Sequence, residues 1–319
     1  MKIVVFDGYS LNPGDLDWSG LNEFGEYTVY DRTGSNEIIE RAIDADVILT
    51  NKTCMSDEVM GQLPNLKFIG VLSTGYNTID IAAAKRRGII VTNTPSYSTN
   101  SVAQMVFAHI LNITQQVAHY TDEIHQGTWE RSKDFCFRDT ELTELTGLKL
   151  GIIGYGTIGQ AVARIALGFG MEICAYTHKS FLQIPREVTV LSLDEIYKQC
   201  DVISLHCPLD EHNQGMINAE ALKKMKPTAI LINTGRGGLI NEQDLANALD
   251  NNVVAAAGLD VLSCEPPKSD NPLLKAKNCY ITPHIAWATK ASRTRLITIV
   301  LENLREFHSG GAVTNNVAK

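Results

Sequence analysis

The chain has no run approaching the roughly 18 uncharged apolar residues that a membrane span requires. At its start, Lys2 precedes only Ile3-Val4-Val5-Phe6 before Asp7. That is too short for the apolar core of a signal peptide and predicts a first β-strand. Basic charge is also scarce: 28 Lys and Arg against 36 Asp and Glu leave a formal net charge of −8. Nucleic-acid backbones are held by clustered cations, so that class of partner is not expected. The seven cysteines are Cys54, Cys136, Cys174, Cys200, Cys207, Cys264 and Cys279, and none forms a C-x-x-C pair. An odd, scattered set supports neither a disulfide framework nor a zinc site. There is no repeat of solenoid period and no low-complexity tract. The expectation is a cytoplasmic protein with small buried thiols, without metal, membrane or nucleic acid.

The sequence does carry material for two cores. Its 319 residues are 44% hydrophobic, which suits about two domains. Short apolar runs at 2–6, 47–50, 68–72 and 89–92 alternate with stretches long enough for helices. A second series follows, with strands predicted at 150–153, 172–176, 201–206, 229–233, 253–259 and 279–282. Val and Ile without strict alternation point to strands buried on both faces, and the β-α repetition predicts doubly wound parallel sheets. Two long helices are expected, from Asn100 to about His119 (capped at Thr99 or Asn100) and from Thr289 to about Phe307. They bracket the second series, so the first domain reads as discontinuous: 1–99 with 288–319, around a dinucleotide-binding domain at 100–287.

Gly154-Tyr155-Gly156-Thr157-Ile158-Gly159 is a G-x-G-x-x-G between a predicted strand and a predicted helix. Its glycines suit a tight turn, close approach of a pyrophosphate, and helix–sheet packing, while the helix amides face the anion. About 20 residues on, NAD enzymes place an acid on the ribose hydroxyls. Here the strand ends Tyr176-Thr177-His178-Lys179-Ser180 without one. Lys179 and His178 are therefore candidates to attract a 2′-phosphate, or are solvated side chains, and the cofactor is read as NAD or NADP.

Three ionisable residues follow later strands: Arg236 in Asn233-Thr234-Gly235-Arg236-Gly237-Gly238, Glu265 shortly after Leu259-Asp260-Val261, and His284 after Tyr280-Ile281-Thr282-Pro283. Ligands of open α/β sheets bind beyond the carboxyl ends of strands. Reduction of a 2-keto acid by hydride needs a carboxylate anchor, a proton donor, and a group that keeps the donor charged. Arg236 offers a planar fork, His284 exchanges protons near neutrality, and Glu265 would favour the imidazolium and fix its orientation.

Taken together, these motifs resemble the D-2-hydroxyacid dehydrogenase family along essentially the whole chain. The resemblance implies a Rossmann-type cofactor domain and a flavodoxin-like substrate domain with a cleft between them. It implies that Arg236, Glu265 and His284 are catalytic. It also implies that Ser73-Thr74-Gly75-Tyr76-Asn77 is the carboxylate-binding loop, with backbone N–H groups near Thr74 and Gly75 on the anion and Arg236 sharing the substrate. Family cofactor contacts carry over to Cys207, Pro208, Thr234 and Asp260, the last facing the nicotinamide amide, and Thr177, His178, Lys179, His284 and Ala286 are further candidate cofactor contacts. The segments Ser101-Val102-Ala103-Gln104, Gly127-Thr128-Trp129, Asp134-Phe135-Cys136 and Thr282 to Ala288 resemble the branch that interconverts hydroxypyruvate and D-glycerate, with glyoxylate as a further substrate.

Trp287 and Trp129 read as core, interface or substrate contact. The Trp129 segment is a candidate contact of a homodimer, the common state in the family. Two alternatives stand beside the reductase. Phosphoglycerate dehydrogenase, a sibling, would need cations that the 73–77 loop does not supply, and would carry a regulatory domain not expected after Lys319. A dinucleotide-sensing corepressor on the same fold would keep the same residues, but would be expected to carry a disordered or charged tail.

Overall fold

The computed structural model describes residues 1–319, apart from the side chain of Phe181. The chain divides into two compact units, one formed by Met1–Ser98 and Trp287–Lys319, the other by Thr99–Ala286.

The first unit is built on β1 (Lys2–Val5), β2 (Glu26–Val29), β3 (Val47–Thr50), β4 (Phe68–Val71) and β5 (Ile90–Thr92), paired in the order β2-β1-β3-β4-β5. All four pairings are parallel. β3 and β4 are buried at every residue, which is why their sequences run apolar without alternation. The C-terminal helix Lys290–His308, capped by Thr289, lays Leu296, Val300 and Leu304 over Val5 and Phe68. Residues four apart share a helix face, so this stripe is what fixes the helix to the sheet. β2 was not anticipated. Its residues alternate between exposed and half-buried, so this edge strand carries no continuous apolar run.

Strand order reverses between β1 and β3, the point where such sheets place ligands. Here the position is filled from within. Asp7, directly beyond β1 and in the left-handed region (φ 59), accepts hydrogen bonds from the backbone N–H of Asn51 (3.2 Å), Lys52 (3.0 Å) and Thr53 (2.9 Å) and from the Thr53 hydroxyl.

The second unit carries β6 (Lys149–Ile153), β7 (Glu172–Tyr176), β8 (Val188–Val190), β9 (Val202–Leu205), β10 (Ile230–Asn233), β11 (Ala256–Leu259) and β12 (Cys279–Ile281). Their order is β12-β11-β10-β9-β6-β7-β8, again all parallel. Successive strand residues point to opposite faces. Leu231 enters the apolar cluster on one face and Ile232 that on the other, so the sheet is covered on both. Strand order reverses between β6 and β9. β8, short and half-exposed, also escaped the sequence reading.

The long helix expected from Asn100 to about His119 is two helices. The first runs Thr99–Gln115; Gln116 takes a left-handed conformation (φ 48), and a second helix follows at Val117–His125. A non-glycine residue made the break, so no Gly or Pro marked it. Among the described residues, no helix is long and apolar enough to cross a membrane.

Candidate active site

The glycine-rich turn lies where β6 gives way to the helix Thr157–Gly168, and each glycine has its own reason. A Cβ on Gly154 (φ +100) would lie 2.5 Å from the backbone nitrogen of Cys207, just after β9. A Cβ on Gly159 would meet the Gly154 carbonyl oxygen at 2.4 Å, so this glycine lets the helix approach the strand. Gly156 differs: a Cβ there meets nothing within 4 Å. It is the N-cap residue, and no side chain caps the helix amides behind it. Open space in front of uncapped amides is the arrangement that receives a pyrophosphate.

Nearby groups fit a dinucleotide. Thr234, directly after β10, is 7% exposed and its hydroxyl is buried without a hydrogen-bond partner, a cost that a ligand could remove. Cys207 is half-buried, and burial pushes its thiol pKa up, so it stays a neutral wall. Pro208 beside it is exposed. At the end of β7, Thr177 accepts the Lys179 backbone N–H at 3.2 Å in a tight turn, with His178 and Lys179 exposed. No carboxylate occurs in this turn. His206, densely surrounded and 2.8 Å from the Ser204 hydroxyl, is pushed down to about 4 by burial and so is neutral behind the glycine turn.

The three ionisable residues emerge from loops after the adjacent strands β10, β11 and β12. His284 Nδ1 and Glu265 Oε2 are 2.6 Å apart, each side chain 32% exposed, so the pair is both bonded and reachable from solvent. Glu265 is steadied by its other oxygen, which accepts the Leu262 N–H at 3.1 Å. Arg236 is exposed, with one guanidinium N–H donating to the Gly235 carbonyl at 2.8 Å. Its loop is braced by fully buried Asn233, whose amide donates to the Arg236 carbonyl and accepts the Gly235 N–H. Gly237 allows this loop to pass the next one, since a Cβ there would lie 2.0 Å from the Leu262 carbonyl carbon.

Asp260 is only 1% exposed, and its carboxylate accepts from the Thr282 hydroxyl (2.6 Å), Ile285 N–H (2.9 Å) and Ala286 N–H (2.8 Å). The structure thus gives it an internal task, holding the segment that carries His284. Ala286 is itself buried, its carbonyl accepting from the Ser101 hydroxyl. Asn233, Thr282, Ser101 and His109 were not assigned roles from sequence. The partners of Thr282, Ser101 and His109 lie 22 to 185 residues away, so spacing along the chain carries no signal for them; Asn233 instead braces its own loop.

The loop after β4 belongs to the first unit. The Ser73 hydroxyl donates to the Gly75 carbonyl (2.5 Å), the Thr74 hydroxyl to Thr94 (3.0 Å), and the Asn93 amide to the Thr74 carbonyl (2.8 Å). Side chains thus brace the loop from behind. Among the described residues, no acceptor meets the N–H groups of Thr74 and Gly75, as an anion-holding turn requires. Trp287 packs edge-on against Tyr97, whereas Trp129 is 50% exposed.

Residues 107–286 match the family model of the D-isomer specific 2-hydroxyacid dehydrogenase NAD binding domain. The chain is 52% identical to a hydroxypyruvate reductase of Blautia hydrogenotrophica, over 98% of each protein. It is 39% identical to a glycerate dehydrogenase of Methylorubrum extorquens, over 97% of this chain and 96% of that one. Among solved structures, an acyclic imino acid reductase in complex with NADPH and D-Arg superposes with a TM-score of 0.86 at 28% identity, covering 99% of this chain and 100% of that one. The protein is an oxidoreductase with an NAD binding domain, and the chain belongs to the D-isomer specific 2-hydroxyacid dehydrogenases.

Proposed function

We propose that this enzyme reduces hydroxypyruvate to D-glycerate, accepts glyoxylate, and uses either NADH or NADPH. The observation that carries the reading is the 2.6 Å bond between His284 Nδ1 and Glu265. It ties down one ring nitrogen and assigns proton exchange to Nε2. The nicotinamide, when bound, supplies the hydride to the carbonyl carbon. His284 delivers the proton to the carbonyl oxygen, Glu265 holds the imidazolium in place, and Arg236 meets the substrate carboxylate and carbonyl through its planar fork. The N–H groups of Thr74 and Gly75 hold the carboxylate. Gly154, Gly156 and Gly159 would admit the pyrophosphate, with Tyr155, Thr157, Ile158, Cys207, Pro208 and Thr234 as its further contacts, and Thr177, His178 and Lys179 would hold the ribose. Asp260 and Ala286 would hold the nicotinamide amide.

Two further readings accompany this one. The exposed apolar side chains of Trp129, Phe135 (90% exposed) and Val117 (68% exposed) suit a contact between two copies of the chain. The scattered free thiols suit the cytoplasm.

His284→Asn should lower hydroxypyruvate turnover roughly 10²–10⁴-fold while leaving NADH affinity nearly unchanged. The assay follows nicotinamide absorbance with hydroxypyruvate, glyoxylate, pyruvate and phosphohydroxypyruvate. Turnover near wild type in the variant would remove His284 from the mechanism, and preference for phosphohydroxypyruvate would replace the substrate.

A further inference from the structure

The helix Thr99–Gln115 packs on β10 and β11, and its buried polar side chains include Ser101 and His109, about two turns apart. His109 is 5% exposed. It is seated over Gly258 of β11, where a Cβ would come within 2.7 Å of the His109 Cβ, so the glycine makes room for the ring. A polar ring buried with a vacated place beneath it calls for a partner, and one is present: Nε2 lies 3.1 Å from the Thr282 hydroxyl oxygen. That hydroxyl is 2.6 Å from Asp260 Oδ1.

The direction of this relay follows from donor counting. The Asp260 carboxylate already accepts two backbone N–H groups, from Ile285 and Ala286, and the Thr282 hydroxyl donates to its Oδ1. The single Thr282 proton therefore goes to Asp260, and the Thr282 oxygen accepts from the His109 Nε2–H. Burial lowers the His109 pKa, which keeps the ring neutral, with one N–H to give. Eight residues earlier on the same helix, Ser101 donates to the Ala286 carbonyl at 2.5 Å. The helix thus grips both ends of the segment Thr282–Ala286. In its middle sits His284, with φ 54 and its N–H bonded to the Asp260 carbonyl at 2.8 Å. Left-handed backbone at a non-glycine residue persists only where the surroundings impose it.

We propose that His109 is a positioning residue for the reduction: through Thr282 and Asp260 it sets the backbone that aims the His284 imidazole. This rests on the reading of His284 as the proton donor. Loss of the His109 donor leaves the Thr282 oxygen without its hydrogen-bond donor, and Thr282 and Asp260 re-pair. The displacement passes to the amides of Ile285 and Ala286 and so to His284. Misplacement of a catalytic group by about 1 Å can cost 10²-fold in rate.

The test is steady-state kinetics with hydroxypyruvate together with a fluorescence titration of NADH. His109→Leu should lower kcat roughly 10- to 100-fold, with KM for the keto acid and Kd for NADH close to wild type. His109→Gln, whose amide can donate to Thr282, should recover most of the rate. Thr282→Val should fall at least as far as His109→Leu, and the double variant little further, because both cut the same relay. Wild-type kcat in His109→Leu overturns the proposal. So does a Gln variant no better than Leu, or a loss in His109→Leu and Thr282→Val that adds independently. If His284→Asn is itself silent in this assay, the reading of the donor fails instead, and the two failures are told apart.

Discussion

The ends of β1 and β6 occupy equivalent points of two doubly wound sheets, each where strand order reverses, and they are finished in opposite ways. After β1 the chain places Asp7, whose carboxylate collects the amides of Asn51, Lys52 and Thr53. After β6 it places Gly154 and Gly156, with nothing within 4 Å of where a Gly156 side chain would begin and no side chain on the helix amides. Topology supplies an anion-binding crevice in both units. One carboxylate turns the first into a structural joint, and the absence of side chains keeps the second available to a dinucleotide. The lesson is that the crevice follows from the fold, whereas its use is decided by one or two residues at the strand end.

The largest effect on stability is expected from emptying the filled crevice. Asp7→Ala leaves three amides and the Thr53 hydroxyl without their acceptor. It should cost about 2–4 kcal/mol, since hydrogen bonds to a charged group contribute about 1.5–3 kcal/mol each and water recovers part. Urea unfolding measures it, and added sulfate should restore part of the loss by occupying the vacated place. Stability within error of wild type would mean that Asp7 is not what closes the crevice.

A smaller effect is expected at the far end of the open crevice. Thr177→Asp puts a carboxylate where the β7 end has none, beside exposed Lys179. It should disfavour NADPH relative to NADH by about 1 kcal/mol, the scale of an exposed charge interaction, and less at high salt. The ratio of kcat/KM for the two cofactors reports it. An unchanged ratio would place the ribose away from residue 177.

The sequence showed these two ends unequally. Gly154, Gly156 and Gly159 were legible because glycine at that spacing, between a strand and a helix, has a local steric meaning. Asp7 was not, because its partners lie 44 to 46 residues away and its role exists only once β1 and β3 are adjacent. The same contrast runs through the loops after β10, β11 and β12. Arg236, Glu265 and His284 could be picked out because each is ionisable and follows an apolar strand. His109 lies inside a predicted long helix with nothing in the sequence to single it out, and its partner Thr282 is 173 residues away. The strands that escaped notice, Glu26–Val29 and Val188–Val190, are short and partly exposed edges, where burial imposes no pattern on the residues.

The most direct test gives the open crevice the finish of the filled one. Gly156 has ordinary extended backbone (φ −79, ψ −162) and room for a side chain. Gly156→Asp should therefore fold with stability equal to wild type or a few tenths of a kcal/mol above it, its carboxylate capping the helix. NADH and NADPH are titrated into the wild-type, Gly156→Asp and Asp7→Ala proteins by nicotinamide fluorescence. The account predicts one equivalent per chain for wild type, affinity weakened roughly 100-fold or more in Gly156→Asp through lost amide contacts and repulsion of the pyrophosphate, and unchanged affinity in Asp7→Ala. Wild-type affinity in a folded Gly156→Asp protein would contradict it.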